Sequence, residues 1–277
     1  MDLYFEMYSG IAGDMTIGAL LDLGASKEKL IEGINSLNLS GYDLVFDRAK
    51  KNGIDAYNFD VKLEGHDHHH DHSHEHDHSH SHEHCHNHDH NHSHDNDHSH
   101  DHVHRNLDDI EKIINSSDLN ENIKRNALGI FDIIGDAEAK AHGIDKSEVH
   151  FHEVGAIDSI IDIVGTCILL DDLEANNIYF SDLYEGSGYQ MCAHGPMPIP
   201  VPAVANILAD SRINLNFIGE EGEHITPTGA AIVKYFYKKA PESFKIKKIG
   251  LGAGNKDFEK STNILRVIEI TRDKKKA

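Results

Sequence analysis

"LYFEMYSGIAGDMTIGALLDLG", residues Leu3–Gly24, is the stretch from which the fold is read. Leu3–Tyr8 alternates weakly and reads as a buried strand. SGIAGD (Ser9–Asp14) is a glycine-punctuated turn, and Met15–Leu23 has helical spacing that stops at Gly24. Working outward, Lys27–Leu37 reads as a second amphipathic helix. Tyr42–Arg48 and Ala56–Leu63 read as two strands around Lys51-Asn52-Gly53, a strong hairpin signal. Further on, helical patterns cover Leu107–Ile114 and Asn122–Ala141, the latter ending at Gly143. Val149–Glu153 reads as a short strand. Asp158–Leu173 is helical, with Ile160, Ile161, Val164, Ile168 and Leu169 on its apolar side. Ile178–Tyr184, Ile213–Ile218, Lys245–Leu251 and Ile264–Ile270 read as strands, and Thr228–Tyr237 as a helix. GPMPIPVPA (Gly195–Ala203) must be extended until Pro202 can open a helix. Helices and strands alternate without a regular βαβ repeat, so the expectation is an α/β fold, a mixed α+β sandwich. Residues 1–64 and 106–277 build the core, and residues 65–105 form a separate segment.

That segment is unlike the rest. Of the 25 histidines, 20 lie between His66 and His104, together with nine acids and no Lys or Arg. Only His142, His150, His152, His194 and His224 lie elsewhere. Almost free of apolar side chains, the tract cannot offset the entropy of ordering and is expected to be disordered. In an extended chain alternate side chains share a face, so His72, His74, His76, His78, His80, His82, His84, His86, His88, His90, His92 and His94 can converge in neighbouring pairs on an ion. Imidazole suits Ni²⁺, Cu²⁺ and Zn²⁺ alike. Composition therefore points to metal binding without choosing the metal. A floppy tract cannot hold a reacting atom in place, so catalysis is expected elsewhere.

The net charge is −21, and outside the tract 26 Lys and Arg still face 38 Asp and Glu. An acidic surface repels phosphate backbones, which argues against nucleic acid. Cys85, Cys167 and Cys192 are odd in number and far apart, as in a reducing cytosol. The N-terminus lacks a basic n-region, and the longest apolar stretch, around Ile160–Leu170, is broken by Asp162 and too short to span a bilayer. A soluble, cytoplasmic protein without a membrane partner is expected.

VHFHEVGAIDSIIDIVG (Val149–Gly165) is the densest chemistry outside the tract. His150 and His152 share a strand face, while Asp158 and Asp162 sit at i, i+4 on the following helix. Two imidazoles with one or two carboxylates suit Ni²⁺, Zn²⁺ or Fe²⁺; alternatively, the acids cap the helix. Ser9, Gly10, Gly13 and Asp14 lie where a strand meets a helix N-terminus, a place that welcomes phosphate. Asp14 also suits simple complementation of the helix dipole. In HITPTGAA (His224–Ala231), Thr226 reads as an N-cap, and Thr228 and Gly229 allow a close approach. His194 and His224 are lone histidines, more often structural than ligands. LGAGNKD (Leu251–Asp257) reads as a glycine-rich loop between strands.

Together, LYFEMYSGIAGDMTIGALLDLG, the His-rich excursion, AEAKAHGI, VHFHEVGAIDSIIDIVG, HGPMPIPVPA, TPTGAA and GLGAGNKDF resemble, in order and over nearly the whole chain, the nickel-insertion proteins of nickel-pincer cofactor biosynthesis, the LarC family. The resemblance implies a CTP-dependent cyclometallase of the lyase class. It would insert Ni²⁺ into pyridinium-3,5-bisthiocarboxylic acid mononucleotide, making one carbon–nickel and two sulfur–nickel bonds, for lactate racemase and related enzymes. It selects nickel, and it supplies a phosphate for Ser9–Asp14 or Thr226–Gly229. CTP, with Mg²⁺ or Mn²⁺, is implied to bind a C-terminal region beyond this chain. A separately encoded partner chain is therefore expected, unless the nucleotide-dependent step is lost. The run Lys274-Lys275-Lys276 could be encoded by adenines on which ribosomes slip. A homo-oligomer is also expected. Nickel is expected to pass from the tract to a fixed site around His150, His152, Glu153 and Asp158, with Asp14, Glu153 or Asp158 as candidate base. A passive nickel store and a metal-dependent hydrolase remain the alternatives.

Overall fold

The computed structural model describes residues 1–63, 105–151, 157–192 and 195–272. The histidine tract, His152, Glu153 and His194 lie outside the described residues.

The apolar run at the start is buried because its strand has neighbours on both sides. Strand β1 (Asp2–Glu6) leads through the glycine turn into helix α1 (Gly13–Leu23), then α2 (Lys27–Asn35) and the hairpin of β2 (Tyr42–Lys51) and β3 (Ile54–Leu63). Asn52 and Gly53 turn the hairpin with φ of 50° and 81°, the left-handed conformation that suits strand twist. After β4 (Arg105–Asn106), Asn106 and Asp109 cap helix α3 (Leu107–Ser116) reciprocally. Asn120 then caps the long α4 (Glu121–His142). β5 (His150–Phe151) precedes α5 (Ile157–Asp172). There follow β6 (Asn177–Phe180), β7 (Leu183–Ser187), the ribbon of β8 (Tyr189–Cys192) and β9 (Gly195–Pro198), α6 (Pro202–Leu208), β10 (Leu215–Glu221), α7 (Pro227–Phe236), β11 (Lys245–Ala253) and β12 (Ile264–Thr271).

The main sheet has the order β2-β3-β11-β12-β1-β6, so both chain halves supply it. β1 is antiparallel to β12 and parallel to β6. β11 runs parallel to β3. This mixed sheet is the expected α/β class. Leu3 and Phe5 join the main core, while Tyr4 faces the other way onto Tyr179, Ile268 and Ile270. Helix α1 lies directly against β11. A Cβ added at Gly252 would stand 1.9 Å from the Met15 carbonyl oxygen, so only glycine admits this approach.

Helix α5 carries more than the one expected stripe: Ile163 and Leu170 are buried along with Ile160, Ile161, Val164, Ile168 and Leu169. It is covered on several sides, by α1, α2, α4 and α7. That is why its interior run is apolar all round.

Two expectations are corrected. Ile178–Tyr184 is not one strand but β6 and β7, which belong to different sheets. The chain turns at Ser181, whose hydroxyl accepts from the Met7 N–H and donates to the Asp182 carbonyl. LGAGNKD is not wholly a loop, since Leu251–Ala253 complete β11 and pair with Ile264–Arg266. No helix among the described residues is long and apolar enough to cross a membrane.

Candidate active site

The segments singled out in the sequence meet at one cleft of about 410 Å³. Its walls are the start of α1, Asp60 of β3, the start of α5, strand β8, the start of α7, and the loop between β11 and β12. A volume of this size holds a small organic ligand. In a larger groove of about 850 Å³, Asn120 and Asn122 donate to Asp171, and Lys29 pairs with Asp172. The chemistry gathers in the smaller one.

Four aspartates supply it. Asp14 on α1, Asp158 and Asp162 on α5, and Asp60 on β3 all line the cleft. The Asp162 carboxylate lies against Gly13, where a Cβ would come within 2.5 Å of Oδ2, and it accepts the Asp14 backbone N–H. The N-terminus of α1 therefore already faces a carboxyl group of the protein itself. Asp14 Oδ1 accepts the Met15 N–H at 2.7 Å. Burial pushes the Asp14 carboxyl up to about 6, the Met15 amide opposes it, and the charges of Asp60 and Asp158 raise it further. Burial, followed by the charge of Asp14, raises Asp162 well above the carboxylate range. Asp158 is raised by burial against the pull of its own helix amides. Its Oδ1 is buried with no hydrogen-bond partner among the described residues. Such an arrangement attracts cations and keeps a carboxylate that is a stronger base than a solvated one.

Three loops are tied together beneath the cleft. The Ile11 N–H donates to the His224 carbonyl at 3.0 Å, and the Thr226 N–H donates to the Ile11 carbonyl at 3.2 Å. Gly10 has φ +84° and no room for a side chain beside His224. A Cβ at Gly229 would stand 2.3 Å from the Ile11 oxygen. What approaches these two glycines is the protein's own backbone. Thr226 caps α7 by accepting from the Gly229 N–H, Thr228 is buried, and Ser9 hydrogen-bonds Thr262. The His224 ring is buried and stacked on Phe258 with centroids 3.9 Å apart. Its Nδ1 donates to the Gly222 carbonyl at 3.0 Å. Its Nε2 lies 3.2 Å from Ser261 Oγ and 3.4 Å from Glu220 Oε2. Glu185 Oε1 accepts the N–H groups of Gly186, His224 and Ile225. His224 is thus a structural histidine joining the turn before α7 to the β11–β12 loop.

Comparison with known proteins bears on what this cleft does. The pattern of the family described as "Nickel insertion protein" matches residues 3–277. This chain belongs to the nickel insertion protein family. It is 49% identical to the pyridinium-3,5-bisthiocarboxylic acid mononucleotide nickel insertion protein of Alkaliphilus metalliredigens over 98% of this chain and 61% of the relative. The proteins of that description from Clostridium acetobutylicum and Staphylococcus epidermidis are 47% and 40% identical, over 96% and 97% of this chain and 63% and 59% of theirs. The chain spans about three fifths of the length of these relatives. No solved structure is similar to it at a significant level.

For this member of the nickel insertion family, the structure brings Gly13, Asp14, Asp158, Thr226 and Thr228 to the cleft. Ser9, Gly10 and Gly229 are not among its walls but hold the loops behind it. His150 does not join His224: it is exposed on β5, opposite Asn106 of β4. His152, Glu153 and the tract histidines from His72 to His94 lie outside the described residues. Among the described residues, no group of three or more His, Cys, Asp or Glu side chains is arranged to hold a metal ion. The sequence missed Asp60 and Lys256 as site residues. Asp60 sits on strand β3, outside every chemical motif that the sequence displays, and carries no local signal.

Proposed function

We propose that the cleft is where Ni²⁺ is inserted into pyridinium-3,5-bisthiocarboxylic acid mononucleotide. The observation that carries this reading is the Asp14 carboxyl, raised to about 6, beside Asp60, Asp158 and Asp162 in a member of the nickel insertion family. Both substrates bring positive charge, the nickel ion and the pyridinium ring, and the acidic walls attract both. The two thiocarboxylates of the mononucleotide grip nickel through sulfur. When the ring carbon bonds to nickel, its C–H bond breaks and the proton passes to a carboxylate. Asp14 suits that step, because it is mostly ionised at neutral pH yet holds a proton better than an ordinary aspartate. Asp158, whose Oδ1 has no hydrogen-bond partner among the described residues, is the second acceptor, and Glu153 stays a candidate through its place in the sequence.

The histidine tract serves as the supply line. Asp60 lies three residues before Leu63, after which the tract follows. The chain returns from the tract at β4, hydrogen-bonded to the β5 strand that carries His150. His150 and His152 are the relay by which tract nickel passes to the cleft. CTP with Mg²⁺ or Mn²⁺, a C-terminal partner chain, a homo-oligomeric state, a cytoplasmic location and delivery of the product to lactate racemase and related enzymes complete the reading. They are supported by the resemblance alone.

The test supplies Ni²⁺, the mononucleotide and CTP to the protein and detects the nickel-containing product by mass spectrometry. Asp14→Asn is expected to slow insertion by roughly 100-fold or more, the usual contribution of a positioned base. Undiminished product from an Asp14→Asn/Asp158→Asn double variant would overturn the assignment. His150→Ala/His152→Ala, with the tract kept, is expected to be impaired; full activity would place the relay elsewhere.

A further inference from the structure

The cleft is electrically lopsided. Asp14, Asp60, Asp158 and Asp162 gather on the side built by α1, β3 and α5. On the loop between β11 and β12, Lys256 is the one lysine or arginine among the described residues that line the cleft. That loop is held in shape. The Lys51 side chain, about 10% exposed, reaches under it and donates from Nζ to the carbonyls of Lys256 at 3.0 Å and Asn255 at 3.4 Å, and to Asp257 Oδ1 at 2.6 Å. Asn263 adds a side-chain bond to the Lys256 carbonyl at 2.8 Å, and its own carbonyl accepts the Gly254 N–H. Lys256 Nζ itself is 3.3 Å from Gln190 Oε1 on β8, across the cleft mouth. Gln190 is a neutral partner, so a dianion can displace it from the ammonium at little cost.

Most of the places first expected to take a phosphate are otherwise engaged, and Thr226 and Thr228, which line the cleft, carry no charge. Gly10 and Gly229 receive the protein's own carbonyls, and the start of α1 faces the Asp162 carboxylate. A phosphate monoester placed there would lie on the aspartate side of the cleft, where its charge is unfavourable. We propose that Lys256 binds the phosphate of the mononucleotide, so that the substrate lies with its phosphate at the β11–β12 loop and its cationic ring at the carboxylates. Lys51 is a positioning residue, acting only through the loop. This rests on the function proposed above and adds the orientation of its substrate. It also fits that function: with the phosphate at Lys256, the ring is turned toward the aspartate side of the cleft, where Asp14 lies.

The experiment measures equilibrium binding without nickel, so that it does not depend on turnover. The ligands are the pyridinium bisthiocarboxylate mononucleotide and its nucleoside, identical but lacking the phosphate. Each is titrated into the whole chain as wild type, Lys256→Ala and Lys256→Arg, with circular dichroism confirming the fold. The expected result is that wild type prefers the mononucleotide and that Lys256→Ala weakens its binding roughly 10- to 100-fold, the worth of a charge-assisted hydrogen bond. Nucleoside binding stays unchanged, and Lys256→Arg keeps most of the preference. Equal loss for both ligands in Lys256→Ala, or no loss for either, overturns the proposal, as does a wild type blind to the phosphate. A Lys256-dependent phosphate preference in a protein that never inserts nickel would uphold the orientation and overturn the proposed function instead.

Discussion

Replacing Asp14 with Asn removes a charge that the fold holds at a cost. The Asp14 carboxyl sits at about 6 rather than at its ordinary 3.8, chiefly because it is buried. At 1.36 kcal/mol per pK unit, ionising it in the folded protein costs about 3 kcal/mol more than in the unfolded chain. An acid raised in this way binds its proton more tightly when folded. The associated stability is therefore complete below about pH 4 and is lost as pH rises through about 6. Asn keeps an oxygen in the place of Oδ1 for the Met15 N–H and carries no charge. Because the side chain lines an open cleft, solvent recovers part of the cost. The expected gain for Asp14→Asn at pH 7.5 is roughly 1–3 kcal/mol, shrinking to about zero at pH 4. Urea denaturation of both proteins at the two pH values reads this directly, and titration of the tract histidines is common to both and cancels. Insertion activity should fall while stability rises, as at a site whose charges serve chemistry. An Asp14→Asn protein less stable than wild type at pH 7.5, or a difference that ignores pH, would refute the reasoning.

Three other outcomes follow from the same geometry. Gly229→Ala drives a methyl group to within 2.3 Å of the Ile11 carbonyl oxygen and should cost about 2–3 kcal/mol in thermal or chemical unfolding, with the cleft lost alongside. His224→Leu keeps the ring's approximate volume but leaves Glu220 and the Gly222 carbonyl without their buried partner. A loss of roughly 2–4 kcal/mol is expected, with no change in nickel stoichiometry by elemental analysis. Deleting residues 66–104 should leave the melting temperature within a few degrees of wild type and lower the bound nickel sharply. Insertion should persist at high nickel and fail at low nickel; loss at every concentration would make the tract part of the reacting site.

The sequence disclosed local matters well. Asn52-Gly53 turned its hairpin, Gly143 ended α4, and Pro202 opened α6, because each depends on backbone rules that act within a few residues. It also set Asp158 and Asp162 four residues apart on one helix, so their shared exposure to one cleft was legible. Long-range matters were not. Ile178–Tyr184 read as one strand because its break comes from hydrogen bonds to Met7 and Phe5, some 175 positions away. Gly252 read as part of a glycine-rich loop, whereas it is where α1 touches β11.

The sequence by itself carried the expectation that the chain gathers cations. That expectation rests on twenty histidines in one tract and an acidic remainder, and composition needs no fold. Its motifs also carried the family resemblance, which the match over residues 3–277 bears out. Only the tertiary structure decided where the acids meet. Asp14, Asp60 and Asp158 come from three elements spread over 145 residues, and a carboxyl becomes a poised base only when folding buries it beside other charges. A one-dimensional string records which groups ionise. How hard it is to ionise them depends on dielectric and distance, and those belong to the folded molecule.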